Sequence, residues 1–474
     1  MFLLILVYLG FAIVRPQDFL PGMAALPVMS VTLLLAFVGW LLRGARTPGS
    51  PQFLLLPVFV LIAMASEVAS GWTGGTAYVL EQMGPSLIVF FVLASAVDDP
   101  RRTATTFAVI GACAMVLALH SVQQAEHGVG WTGMTLGEDG RIRYVGIFND
   151  PNDLGLLFVM ALPMVLCLAS RAGFLGRWFW RLGALLLLVG VYLTKSRGTQ
   201  LAVLMMGGVW LWQKRGLLTA GSLGFVGLVG LMLMPSTRMN DLDPDEESAF
   251  GRVDAWYEGL DMFKTHPLLG VGFGNFTDYN PLTAHNSFVL VLAETGFLGF
   301  MAWLAFVGYC FWMMWRLLRL QSGLAKAAQA TVRAVAVVRP QARLALALPA
   351  GAGVAERRPV AVRRQAAATG GSGTAANPAE AAADRQARAE QALSLTLFCA
   401  LCGFFTAAFF LSRSYNIMLY TLAAIVAGHY ASMRKRHDAL PRFTLSVSGW
   451  RWPPIALVVV AALYVLVAVL LRMS

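Results

Sequence analysis

Charge is scarce in this 474-residue chain: Asp, Glu, Lys and Arg make up 13% of it, against about 25% in soluble proteins, while 58% of residues are apolar. The apolar residues fall in blocks of 13–21, as at 28–42 and 57–69, long enough for membrane spans. That excludes a secreted soluble enzyme. The chain also lacks the ~10-residue alternating segments of an outer-membrane barrel. Cysteine is equally sparse, and Cys113, Cys167, Cys310, Cys399 and Cys402 all lie inside apolar blocks, where no oxidised staple between outward loops can form. The Cys399/Cys402 pair has CxxC spacing, but within a span it reads as two small packing residues. The first apolar block has neither a basic flank nor a convincing cleavage site, so a retained helix is expected there.

Thirteen helices are predicted, at about 2–14, 24–42, 53–70, 77–97, 103–122, 154–170, 182–194, 199–212, 217–234, 287–315, 393–411, 417–433 and 455–471. With the N-terminus in the cytoplasm, the inward segments 43–52, 98–102, 171–181, 213–216, 316–392 and 434–454 hold 26 of the 36 Lys and Arg but 7 of the 25 Asp and Glu. Basic residues flanking spans fix orientation, which makes this the preferred topology. The net charge of +11 is therefore a topology signal, and no nucleic-acid partner is expected. The predicted fold is all-α: a polytopic helical membrane protein of about 12–13 transmembrane helices with a large outward loop.

Boundaries follow from composition. N-terminal spans occupy 1–122, an outward loop 123–153, further spans 154–234, and the large outward loop 235–286. One span follows at 287–315, an insertion at 316–392, and C-terminal spans at 393–474. The large loop opens on an acidic run at 241–247. Within it, 255–264 places Trp256, Leu260 and Phe263 on one helical face and Asp254, Glu258 and Asp261 on another, as for an amphipathic helix on the outer surface. Stretch 322–392 has 25 Ala, no aromatic residue and a Gly-Gly-Ser-Gly tract at 370–373, so a largely disordered cytoplasmic linker is expected.

Candidate chemistry concentrates on the few outward cations. Lys195-Ser-Arg197 joins two short apolar runs. From Arg181 to Lys195 is 14 steps, about 21 Å against a hydrocarbon core of roughly 30 Å, so the hairpin tip is expected below the outer surface. An arginine at membrane depth costs ~2.5–3.5 kcal/mol on insertion scales, and is tolerated where it faces a wet cavity and an anion. Gly251-Arg252 and the spaced glycines Gly270, Gly272 and Gly274 follow. No strand precedes those glycines, so they read as a turn rather than a nucleotide loop. His285-Asn286 then stands immediately before an apolar helix that carries Glu294, and His285 is expected to cap or start that helix.

His285-Asn286-x9-Gly296-x2-Gly299 resembles the signature of the O-antigen ligase and polysaccharide polymerase superfamily of bacterial inner-membrane glycosyltransferases. Lys195-Ser-Arg-Gly198, Gly251-Arg252 followed by Trp256, His266-Pro-Leu-Leu-Gly-Val-Gly272 and Gly146-Ile-Phe-Asn-Asp-Pro-Asn152 extend the resemblance in the same order. It implies a GT-C-like fold and a multi-pass protein of the inner membrane with its active site facing the periplasm. It further implies an undecaprenyl-diphosphate-linked glycan donor, with lipid A core or a nascent polysaccharide as acceptor among membrane lipids, and a protein hydroxyl as a third open acceptor. No cofactor and no metal are implied. Carried over by position, Arg197 and Arg252 bind the diphosphate and His285 contacts the acceptor hydroxyl. Guanidinium forks suit phosphate oxygens, and histidine titrates near neutrality. Lys195, Arg143, Arg413, Asn286 and Glu294 are expected to line the same cavity, and Arg141 is a further candidate.

Two other readings are open to the sequence. Asp241 and Asp243 could hold a metal, although a calcium loop fails because Glu246 stands where glycine is needed and Arg252 where glutamate is needed. A transporter or lipid-linked glycan flippase should show related halves with paired broken helices, whereas only one short pair, 182–212, is visible.

Overall fold

The computed structural model describes residues 1–44, 47–137, 140–233, 247–345 and 378–473. Each of the thirteen predicted stretches contains a helix: α1 (Phe2–Val14), α2 (Val28–Leu42), α3 (Gln52–Ala69), α4 (Gly75–Ala96), α5 (Pro100–His127), α6 (Pro151–Arg171), α7 (Phe174–Leu193), α8 (Arg197–Arg215), α9 (Leu217–Leu233), then, beyond α10 (Glu247–Thr265) and the one-turn α11 (Phe276–Tyr279), α12 (Ser287–Ala345), α13 (Pro378–Ala408), α14 (Ile417–Arg434) and, after the one-turn α15 (Leu445–Ser448), α16 (Trp452–Met473). No strand forms among the described residues. Among the described residues, eight helices are long and apolar enough to cross a membrane, and α1, α2 and most of α9 are apolar but shorter. In hydrocarbon only such self-satisfied backbone is tolerated. The chain is an all-α, polytopic, multi-pass membrane protein.

Two compact units are present: Met1–Arg316 with Leu393–Ser474, and Leu317–Ala392. In the larger, α6 is the most enclosed span, packed against α5, α7 and α8, while α14 packs on α4. By contrast α7, α9 and α16 keep large apolar side chains exposed, among them Leu175, Phe225 and Val458, as expected for faces that meet lipid.

Three expectations change. Helix α7 starts at Phe174, runs past Arg181 and is 20 residues long, and α8 has 19, so neither half of that hairpin is short. Arg177 and Arg181 do not end it. Arg181 lies over the Trp178 ring at 5.2 Å, its guanidinium held against the helix. Second, the apolar face of α10 is covered by protein: the Trp256 ring meets Phe409 edge-on at 5.6 Å, and Tyr464 donates its hydroxyl proton to the Leu260 carbonyl at 3.1 Å. Third, the alanine-rich stretch expected to be disordered is helical at both described ends, since α12 continues to Ala345 and α13 begins at Pro378. Alanine is the strongest helix former, so an alanine-rich stretch can be helical without an aromatic or strongly apolar face. The glycine tract 370–373 and the acidic residues 241–246 lie outside the described residues.

One span is broken. At Gly296 (φ 60°, ψ −165°) α12 leaves helical geometry, and the loop 267–272 takes over the hydrogen bonds the helix gives up. Val271 and Gly272 donate to the carbonyls of Ala293 and Glu294 at 3.0 and 3.2 Å, while Phe297 and Leu298 donate to Pro267 and Leu268 at 2.8 and 3.3 Å. A Cβ at Gly296 would stand 2.4 Å from the Leu268 carbonyl carbon, which explains a glycine there.

Candidate functional site

Four helix N-termini meet at one end of the larger unit, each capped by a side chain. Asp150 caps α6, accepting from Asn152 N–H at 2.6 Å, and Ser196 caps α8, accepting from Thr199 N–H at 3.4 Å. Asn286, one residue beyond the expected His285, caps α12 through Phe288 and Val289 N–H at 2.8 and 3.2 Å. Asn416 caps α14, accepting from Met418 N–H at 2.9 Å. Their proximity is explicit: Thr199 packs on Gly155, and Phe410 on Gly198. The N-terminal ends of helices carry partial positive charge and favour anions.

A hydrogen-bonded lattice fixes the two loops that carry His285 and Arg413. Ser287 donates to the Leu411 carbonyl at 2.6 Å and accepts from Arg413 N–H at 3.0 Å. Ser414 donates to the Ser287 carbonyl at 2.8 Å, and Thr283 to Ser412 at 2.9 Å. The Arg413 guanidinium forms a two-pronged pair with the buried Asp153 in the first turn of α6. His285 is held with a left-handed backbone, φ 46°. Burial lowers its pKa below the usual 6.5, Arg252 and Arg413 push it in the same direction, and Asp150 opposes them. The imidazole is therefore neutral at neutral pH, with Arg252, Asp150 and Arg413 as its charged surroundings.

Beside this cluster opens a cavity of about 920 Å³. Arg15, Arg141, Arg143 and Arg413 line it with Asp150 and Asp153, and Tyr8, Ala12 and Pro85 add apolar surface. Arg141 spans from the Thr194 carbonyl (3.0 Å) to Asn152 (2.9 Å), tying the turn before α8 to the start of α6. Arg143 donates to the backbone and hydroxyl oxygens of Thr135 at 2.9 and 3.1 Å.

Of the residues expected to line one cavity, Arg143 and Arg413 do so. Lys195 lies at the Gly140 edge, its Nζ 3.7 Å from where a Cβ of that glycine would stand. Arg197 opens α8, and Arg252 and His285 form the adjoining cluster. Glu294 does not line it: its carboxylate is buried and accepts from Phe276 N–H at 3.4 Å, beneath the glycine loop. Asn286 is wholly buried in its capping role.

Two residues were missed. Arg15, in the Arg-Pro step closing the first apolar block, faces the cavity. Asp153, a carboxylate in the first turn of an apolar helix, calls for a cationic partner on energetic grounds. Among the described residues, no group of three or more His, Cys, Asp or Glu is placed to hold a metal ion.

Residues 182–304 match the family described as O-Antigen ligase. This segment contains Arg197, Arg252 and His285, and its match supports the resemblance to the O-antigen ligase and polymerase superfamily. At family level that supports glycan transfer of the ligase or polymerase type. No curated protein matches the chain.

Proposed function

We propose, taking the O-antigen ligase domain at 182–304 as premise, that the protein transfers a glycan from an undecaprenyl-diphosphate-linked donor to an acceptor hydroxyl on the periplasmic face of the inner membrane. One observation carries this reading. Among the described residues, the non-glycine residues with positive φ are Arg15 (51°), Lys195 (50°) and His285 (46°), all basic and all at this end of the molecule. Such backbone is costly and collects at functional sites.

In this reading His285, neutral at working pH, accepts the proton of the acceptor hydroxyl as that oxygen attacks the anomeric carbon. The bond from that carbon to the diphosphate oxygen breaks on the opposite face, which inverts the centre. The diphosphate leaves with the bonding electrons, and Arg197 and Arg252 stabilise its charge through bidentate hydrogen bonds, helped by the N-terminus of α8. The arginines provide the charge neutralisation that a metal ion provides elsewhere, so transfer should persist in a chelator. The acceptor is a lipid A core for a ligase, or a second lipid-linked repeat for a polymerase.

The test is transfer by purified protein from a lipid-diphosphate glycan. The Arg197→Ala, His285→Ala double variant should lose activity by at least about 100-fold; undiminished transfer overturns the assignment. In cells, deletion should leave naked lipid A core with accumulated polymer for a ligase, or single repeats for a polymerase.

A further inference from the structure

We infer that Trp72 and Tyr78 form a platform at the mouth of the arginine-lined cavity, on which a neutral or amino-sugar pyranose ring of the bound glycan stacks. The inference deepens the proposed function and rests on it. It assigns sugar binding to the junction of α3 and α4, outside the matched segment 182–304.

Three observations carry it. First, the two rings are held in place while staying open to the outside. Trp72, in the turn between α3 and α4, is 50% exposed, so its indole is not a core side chain. Its backbone is fixed on both sides: Trp72 N–H donates to the Glu67 carbonyl and Gly75 N–H to the Trp72 carbonyl, each at 3.1 Å. The Trp72 and Tyr78 ring centres are 6.0 Å apart, with the rings inclined at 37°. Tyr78 is half-buried and lies against Gly274, where a Cβ would stand 3.2 Å from the phenol ring. It also meets Phe273 at 6.2 Å, and Phe273 meets Tyr415, a cavity-lining residue, at 4.3 Å. Rings backed in this way lose little freedom when a ligand settles on them.

Second, α4 joins the platform to the cavity. Gln82 and Pro85 line the cavity, and Tyr78, Gln82 and Pro85 stand at i, i+4 and i+7 on one face of that helix. From Pro85 back to Tyr78 is about 10 Å along the helix, toward its first turn, and Trp72 lies in the turn beyond. A substrate with its charged end among the arginines carries its glycan over Tyr78 and Trp72.

Third, the surroundings suit a sugar. The faces of a pyranose ring carry C–H groups that pack on aromatic faces, while its rim carries hydroxyls that need acceptors. Two exposed carboxylates are at hand. Glu81, at i+3 from Tyr78, acts on it electrostatically, and Asp278, beside the glycine loop, acts on the buried Glu67. Among the described residues, no lysine or arginine acts on Tyr78 or Glu67. Carboxylates on the rim repel an anionic sugar and accept from the hydroxyl or ammonium groups of a neutral or amino sugar. A tryptophan that only anchored the chain among lipid head groups would need neither the Tyr78 partner nor these carboxylates.

Saturation-transfer NMR on the purified full chain in lipid nanodiscs tests it with three probes: tetrasaccharides of N-acetylglucosamine, of glucose and of galacturonic acid. The wild type should bind at least one of the first two in preference to the third. Trp72→Ala should weaken that binding at least about threefold, the scale of one aromatic contact, and Trp72→Phe should retain most of it. Should Trp72→Ala not fold, Trp72→Leu, which keeps apolar volume without a ring, is read the same way. Undiminished binding in these variants overturns the inference, and so does a preference for the galacturonate. In the transfer assay Trp72→Ala should raise one KM and leave kcat in place. A raised KM for the lipid-diphosphate donor puts the donor glycan on the platform, and a raised KM for the acceptor puts the acceptor glycan there. Two unchanged KM values overturn it. A wild type that transfers nothing, yet binds an oligosaccharide that Trp72→Ala loses, counts against the proposed function and leaves the platform standing.

Discussion

His285 is held in a backbone conformation that costs roughly 1–2 kcal/mol for a non-glycine residue, and four hydrogen bonds between its loop and the 411–414 turn keep it there. Its depressed pKa makes a signed prediction. The neutral imidazole is the base, so kcat/KM should hold from neutrality down through pH 6.5 and fall only below it. Arg252→Gln removes one cause of the depression, so the acid limb should move to higher pH while the maximum also drops. A pH–rate profile in which the limb stays in place or moves lower contradicts the pairing. Stability follows the same sign: a histidine whose folded pKa lies below its unfolded value favours the fold fully above about 6.5, and that contribution is lost as pH falls through 6.5 toward the folded value.

At the scale of elements, the helices were legible because apolar blocks of span length have few other meanings. What periodicity does not record is which helix end pairs with which. Asp153 and Arg413 are 260 positions apart, and nothing local to either names the other. The break in α12 was hidden for a similar reason. Gly296 within an apolar run looks like a packing residue until the loop 267–272 is seen to supply its hydrogen bonds. Gly296→Ala tests that account. It forces a side chain onto the Leu268 carbonyl at a positive φ, so a loss well above the ~1 kcal/mol of an ordinary Gly→Ala change is expected. Thermal unfolding in detergent should show it; a variant as stable as the parent would mean that the loop does not close the break.

For the whole molecule, the formal +11 conceals a division that the topology assigns. With the N-terminus inside, Lys264 and Arg413 face the periplasm and Arg436 the cytoplasm. Cysteine introduced at 264 in a chain freed of its five native cysteines should react with an impermeant maleimide on intact spheroplasts. Cysteine at 436 should react only after the membrane is opened. The reverse pattern inverts the orientation and moves the candidate site to the other compartment.

The loop that closes the break in α12 also bears on how the protein is made. A span with orphaned amides and carbonyls near its start is a poor substrate for insertion into lipid. Residues 267–272 are synthesised before 293–298, the bonded pairs being 22 to 30 positions apart, or a few seconds of chain growth at about 5–20 residues per second. The partner strand of backbone is therefore already waiting when the broken helix leaves the ribosome. A circular permutation opened between 272 and 287, which moves the two hydrogen-bonded segments to opposite ends of the chain, should then lower the yield of inserted protein in membrane fractions.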